Sequence, residues 1–160
     1  MSENVLGFFG PYRYLSNFHL AWFTWNGIRW ISSEHAYQAA KLKDPEKMKK
    51  FAKLSTPKDA KIAGGLIPCR EDWDDAKYTI MYLIVKAKFS QNKDIADLLI
   101  GTGDAYLEET NTWYDTTWGV CDGKGLNWLG KILMQVREEL RYVDMIDDIL
   151  GFTNKEKEHE

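Results

Sequence analysis

From Asp72 onward the apolar residues Trp73, Ala76, Ile80, Leu83, Ile84 and Ala87 recur at steps of three and four, the spacing of one face of an α-helix running to about Phe89. A helix of that length in a chain of 160 residues is expected to be the central one, and predicts a mainly α domain. Asp44-Pro45 and Thr56-Pro57 each offer a capping side chain followed by proline at a first helical position. Two short helices are expected there, the second ended by Gly64-Gly65. A further short helix is expected over Asp94 to Ile100, stopping at Gly101. A last one should follow a cap at Asn127, with Leu129, Leu133, Val136, Leu140 and Val143 pointing inward. Ala21 to Trp25 and Ile28 to Ile31 flank Asn26-Gly27, a dipeptide that accepts positive φ at both turn positions, so a small N-terminal β-hairpin is expected. Before it, Gly7 to Phe18 mixes aromatics with turn formers and reads as an irregular strand and loop. Thr102 to Leu126 is too irregular for one regular element, and a loop that long is more often functional than idle. The expected architecture is one domain over 1–154, mainly α with a small N-terminal β-hairpin, and a disordered charged tail over 155–160.

With 44% hydrophobic residues the chain has ample core material, and its seven tryptophans leave rings free to stack on a base or a sugar. A formal charge of -3 argues against a protein that grips nucleic acid through an overall basic surface. Cys69 and Cys121 form no paired motif, which suits a reduced intracellular protein, and His19, His35 and His159 give no zinc spacing. No metal or cofactor is implied. The longest apolar run, Ile80 to Val85, is too short to span a bilayer, and no basic segment precedes an apolar one at the amino terminus. The expectation is a cytoplasmic protein, or one made in a host cytoplasm, with no membrane association and no obligate protein partner.

Ser32-Ser33-Glu34-His35-Ala36-Tyr37-Gln38-Ala39-Ala40-Lys41 puts a carboxylate, a histidine, an amide and an amine into one expected helix. Seven residues is nearly two turns, so Glu34 and Lys41 would share a face about 10 Å apart, with Gln38 between them. That gap is ribose-sized, and an acid and an amine flanking it could hydrolyse a bond at an anomeric carbon by protonation, by imine formation, or by both. On spacing alone the plainer reading is favoured, in which Ser32 caps a helix, Glu34 complements its first turn and Lys41 is a solvated cation.

Four signatures stand in order along the chain. They are Phe8-Phe9-Gly10-Pro11-Tyr12-Arg13-Tyr14-Leu15-Ser16-Asn17-Phe18; Ser33-Glu34-His35-Ala36-Tyr37-Gln38-Ala39-Ala40-Lys41; Ala87-Lys88-Phe89-Ser90-Gln91-Asn92; and Asp115-Thr116-Thr117-Trp118-Gly119 running into Gly125-Leu126-Asn127-Trp128-Leu129-Gly130. Together they resemble the NADAR family of YbiA-like N-glycosidases, over roughly Leu6 to Leu140. The resemblance implies a single, mainly helical NADAR domain that hydrolyses the bond between an anomeric carbon and an exocyclic base amine. Its substrates would be phosphoribosyl-aminopyrimidine intermediates of riboflavin synthesis, or guanine ADP-ribosylated on its amino group in DNA or as a nucleoside. By the same resemblance the catalytic glutamate falls on Glu34, the site tryptophan on Trp73, the site aspartate on Asp115 and an imine-forming lysine on Lys41. Glu34 would then act as general acid and base, and Asp115 would hold sugar hydroxyls or stabilise positive charge at the anomeric carbon.

Other positions carry weaker signals. Gly119 to Gly125, with Lys124, leads into the helix start at Asn127 and could cradle a phosphate through backbone amides. Arg13 and Asn17 could bind a phosphate or sugar hydroxyls, and Tyr106 and Trp118 could frame the base. Trp73 and Asp115 have ordinary readings as core ring and turn former. Eight lysines (Lys41, Lys43, Lys47, Lys49, Lys50, Lys53, Lys58 and Lys61) stand against three acids in one region, either as a solvated face or as a basic rim guiding a polyphosphate or a nucleic-acid backbone. That rim inclines the reading toward ADP-ribosylated guanine. The rival from another class is a module that binds ADP-ribose or NAD without cleaving it.

Overall fold

A seven-residue helix lies at the centre of the molecule, in place of the long helix expected there. In the computed structural model, which describes residues 3–151, α1 (Ser33–Ala39) is buried along its whole length. It is enclosed by α2 (Pro45–Ala52), α3 (Pro57–Leu66), α4 (Trp73–Ser90) and one strand of the hairpin. Ala36, Ala39 and Ala40 allow that enclosure, because small side chains let neighbouring backbones approach closely. The Ser32 hydroxyl starts α1 by accepting from the His35 backbone N–H at 3.1 Å. The same hydroxyl lies 2.6 Å from His35 Nδ1, while Nε2 of that ring meets the Leu54 carbonyl at 3.0 Å. A buried histidine is thereby satisfied at both nitrogens, and the α1 cap is tied to the end of α2.

α4 has its predicted bounds but is amphipathic, not central: Ile80, Met81, Ile84 and Phe89 are buried, while Leu83, expected on the inner face, is 44% exposed. α2 and α3 begin as expected, with Asp44 accepting from Glu46 N–H and Thr56 from Asp59 N–H. Gly64-Gly65 does not end α3, which continues to Leu66. Gly64 is instead a packing residue, since a Cβ there would overlap the Gln38 carboxamide of α1.

The hairpin pairs β2 (Phe23–Trp25) with β3 (Ile28–Trp30) through Asn26 at φ 54° and Gly27 at φ 72°, the turn geometry its sequence predicts. Gly7 to Phe18, read as an irregular strand and loop, contains a 3-10 helix, Gly10–Leu15, and β1 (Val5–Leu6) lies just before it. The end of that 3-10 helix is anchored by a fully buried cation. Lys88 of α4 donates to the carbonyls of Tyr14 at 2.8 Å and Ser16 at 3.0 Å, and burial pushes its ammonium down to about 7.

α5 (Lys93–Gly101) leads into the long irregular segment, where β4 (Leu107–Glu108) pairs in parallel with β1, and β5 (Thr110–Asn111) with β6 (Val120–Cys121). α6 (Trp128–Leu150) closes the domain, with Leu129, Leu133, Val136 and Leu140 buried. Val143, expected inward, is 50% exposed because α6 runs past the core at Leu140. Among the described residues no helix is long and apolar enough to cross a membrane. The charged tail read as disordered lies outside the described residues.

Candidate active site

A cavity of about 480 Å³ opens between α1, the 3-10 helix, α3 and the segment from Glu109 to Trp118. Glu34 lies in its floor. The Glu34 backbone N–H donates to the Asn17 carbonyl at 3.0 Å, and Gln38, one turn later, donates from Nε2 to Glu34 Oε1 at 2.8 Å. Burial pushes the Glu34 carboxyl above the ordinary carboxylate range, aided by the Asp115 charge and opposed by the Gln38 bond and the charges of Lys61 and Lys41.

The opposite wall carries two more carboxylates. Glu109 was not singled out from the sequence, yet it lines the cavity and is pushed up to about 7, by burial first and then by the charges of Asp115 and Glu34. Nothing in Glu108-Glu109 tells which of two adjacent acids faces inward; strand alternation sends only one. Asp115 lines the cavity as expected, in an Asx turn in which Oδ1 accepts from the Thr117 N–H at 3.1 Å and the Trp118 N–H at 2.9 Å. Asp115 is thus a turn former whose carboxylate stands in the cavity wall. Asn111 fixes its backbone on both sides, with Oδ1 accepting from Asp115 N–H at 3.1 Å and Nδ2 donating to Asp115 O at 2.8 Å.

The lysine in the cavity is Lys61 of α3, its ammonium 5.9 Å from the ring centroids of both Phe18 and Trp113. Lys41 is not brought there. α1 ends at Ala39, so the two-turn register that would align Lys41 with Glu34 is never completed, and Lys41 Nζ donates to the Gly64 carbonyl at 3.0 Å. Of the lysine-rich region only Lys61 reaches the cavity wall.

Arg13, Asn17 and Trp118 line the cavity. Asn17 is held by Ser33, whose hydroxyl donates to Asn17 Oδ1 at 2.8 Å, and Trp118 by an indole N–H donating to Tyr37 OH at 3.2 Å. Trp73 is not in the wall; its ring packs behind Tyr37 at 5.2 Å between centroids and supports the wall from the core side. Tyr106 lies outside, between Glu108 and the Asn127 amide. The glycine-rich turn, 119–125, does not reach this cavity: none of its residues lines the wall, and Cys121 and Lys124 bond each other's carbonyls across it. Lys124 is exposed on that turn. Gly119 serves packing, as a Cβ would strike the Glu109 carbonyl. Asn127 occupies the α6 cap position at φ 50° but makes no capping bond. Its side chain accepts from the Glu109 N–H at 3.0 Å and donates to the Leu107 carbonyl at 2.9 Å, clamping the strand that presents Glu109.

A mainly helical frame surrounds a cavity lined by one buried acid, two half-buried acids, one lysine and aromatic rings, the make-up of an acid–base site. The NADAR domain family matches residues 7–141, and the chain belongs to that family. N-glycosidase YbiA of Escherichia coli is 35% identical over 147 residues, covering 88% of this chain and 91% of that protein. The solution structure of E. coli YbiA superimposes with a TM-score of 0.80 at 32% identity, covering 91% of this chain and 89% of that one. An N-glycosidase of Nostoc punctiforme is 39% identical over 137 residues, covering 82% of this chain and 87% of that protein. A riboflavin biosynthesis protein of Vibrio vulnificus is 39% identical over 148 residues, covering 87% of this chain, which spans only 39% of that longer protein. By these relatives the chain is an enzyme of the N-glycosidase class.

Proposed function

We propose that this enzyme hydrolyses the bond between a ribose anomeric carbon and an exocyclic base amine, with guanine ADP-ribosylated on its amino group as substrate and the cytosol as its place of action. The observation that carries this reading is that two carboxyl groups with raised proton affinity, Glu34 and Glu109, share one cavity wall system with Lys61 and the fixed carboxylate of Asp115. A glycosylamine needs a proton on its leaving nitrogen, and Glu34, whose carboxyl burial pushes above the ordinary carboxylate range, supplies it. Glu109, with a proton affinity near the middle of the pH scale, takes the proton of the attacking water. Asp115 keeps its second oxygen for sugar hydroxyls or for positive charge at the anomeric carbon.

Glycosylamines open readily, and Lys61 takes the role first read for Lys41. When the ring C–O bond breaks, the ring oxygen gains a proton and the anomeric carbon forms an imine to the base nitrogen. Lys61, after giving up a proton to solvent, adds to that carbon, the base amine leaves with its bonding pair and a proton, and water then hydrolyses the lysine imine to release the sugar. Arg13, Phe9 and Trp113 at the mouth offer a cation and two exposed rings to the diphosphate and second base of an ADP-ribosyl group.

The runner-up is the phosphoribosyl-aminopyrimidine class, favoured by the name of the Vibrio relative. Incubation with an oligonucleotide bearing ADP-ribosylated guanine and, separately, with a phosphoribosyl-aminopyrimidine decides between them. Release of ADP-ribose in the first alone is expected. Cleavage of the second alone reverses the substrate assignment, and tight binding of ADP-ribose without cleavage of either identifies a non-catalytic binder.

A further inference from the structure

We propose that Gln38 is the positioning residue for Glu34: its carboxamide donates to the carboxylate when Glu34 is ionised and turns over to accept from the acid when Glu34 carries the proton. The inference rests on Glu34 being the acid–base group of the proposed reaction.

Glu34 and Gln38 stand one turn apart on α1, both lining the cavity but only 7% and 6% exposed. At that burial each is a fixed hydrogen-bonding partner of the other. The 2.8 Å contact between Gln38 Nε2 and Glu34 Oε1 satisfies an ionised carboxylate. Gln38 Oε1, by contrast, is buried and meets no donor among the described residues. The orientation is therefore set by the demand of the carboxylate and not by that of the amide oxygen. A proton on Glu34 inverts the demand. A carboxylic acid facing an NH2 group leaves its O–H without an acceptor, whereas a carboxamide rotated about its terminal torsion presents Oε1 to that proton, and this torsion is soft.

Gly64 of α3 lies against the carboxamide, and any side chain there would overlap it. The Gly64 carbonyl receives the Lys41 ammonium and keeps a second lone pair. The charges of Lys61 on α3, Lys41 after α1 and Asp115 on the facing segment act on Glu34, and Glu34 in turn acts on Tyr37 of α1 and on Glu109, while Arg13 of the 3-10 helix lines the same cavity. Among the described residues the Glu34 carboxylate accepts a hydrogen bond from Gln38 and from none of these.

The test is the titration of the Glu34 side-chain carboxyl carbon, followed by NMR in selectively labelled protein, for the parent, Gln38→Met and Gly64→Ala. Methionine keeps the length and volume without a donor, and alanine at 64 displaces the amide from the α3 side. Both variants should raise the Glu34 midpoint by about one pH unit, and the alkaline limb of kcat on the accepted substrate, which reports the general acid, should move with it. An unchanged Glu34 midpoint in a folded Gln38→Met protein overturns the proposal, whatever happens to kcat. Should Gly64→Ala fail to fold, Gln38→Leu takes its place. A shifted midpoint in a protein that cleaves no glycosylamine keeps Gln38 as the partner of Glu34 and refutes the proposed function instead.

Discussion

One wall of the cavity is a helix and the other a segment with almost no regular structure, and the two hold their carboxylates by different means. On the helical wall the register of α1 places Glu34 and Gln38 one turn apart, and the Ser32 cap fixes where that register starts. On the irregular wall two asparagines do the work of a helix. Asn111 brackets the Asp115 backbone, and Asn127 grips the Leu107 carbonyl and the Glu109 N–H from the start of α6. A helix spreads the positioning of a side chain over many equivalent hydrogen bonds. The irregular wall concentrates it in a few side-chain bonds to the backbone, each of which matters more.

The largest effect is expected at the helical floor. Glu34→Gln keeps the volume and an oxygen for Gln38 but cannot transfer a proton, so turnover should fall about 10³-fold while the melting temperature holds or rises. Single-turnover rates within tenfold of the parent would move the acid–base role to the facing wall. Next comes the lysine. Lys61→Met should lower turnover about 100-fold, roughly 2.7 kcal/mol in barrier, whereas Lys41→Met should change it no more than a few-fold. Borohydride added during turnover should fix a sugar-derived mass on the peptide containing Lys61. The adduct found on the Lys41 peptide would return the role to that residue.

Stability sharpens the comparison of the walls. Asn127→Ala removes three side-chain bonds, two of them to buried or half-buried backbone groups, and should cost about 2–3 kcal/mol in urea denaturation. Ser32→Ala removes one helix cap and should cost about 1 kcal/mol. Equal losses would erase the distinction between concentrated and spread positioning. The last effect, at Glu109, appears only as a change with pH. Its folded value of about 7 lies above the ordinary 4.5, so between those values the folded protein holds a proton that the unfolded chain has released. Stability from this group is greatest below about 4.5 and falls as pH rises to about 7. Glu109→Gln should therefore gain on the parent across that window, by roughly 1 kcal/mol or more at pH 8 relative to pH 4. A gap that stays constant with pH would show that Glu109 is not held protonated by the fold.

The same contrast explains what the sequence made legible. Periodic spacing and capping residues located α4, the starts of α2 and α3, and the Asn26-Gly27 turn, because these depend on neighbours within a few residues. They misjudged which helix is central, since burial of α1 on every side comes from partners distant in sequence. They also misread Gly64, whose role is to admit the Gln38 carboxamide and not to end a helix. Glu34 stands out through its motif; Lys41, which the family resemblance marks for the imine, shares a face with Glu34 only in a helical register extended two residues beyond Ala39, and Lys61 carries no signal apart from its place in the lysine-rich region. Glu109 and the clamping role of Asn127 carry no local pattern, because each depends on a bond between segments 18 residues apart.

The central claim, that water attacks the anomeric carbon and releases the base with its own nitrogen, is tested most directly by turnover of ADP-ribosylated guanine in ¹⁸O water. The products are weighed separately by mass spectrometry. One heavy oxygen should enter the released ADP-ribose, and the guanine should leave with its amine and no label. Heavy oxygen in the base would mean deamination, and heavy oxygen in a phosphate would mean cleavage of the diphosphate; either result contradicts an N-glycosidase reaction in this cavity.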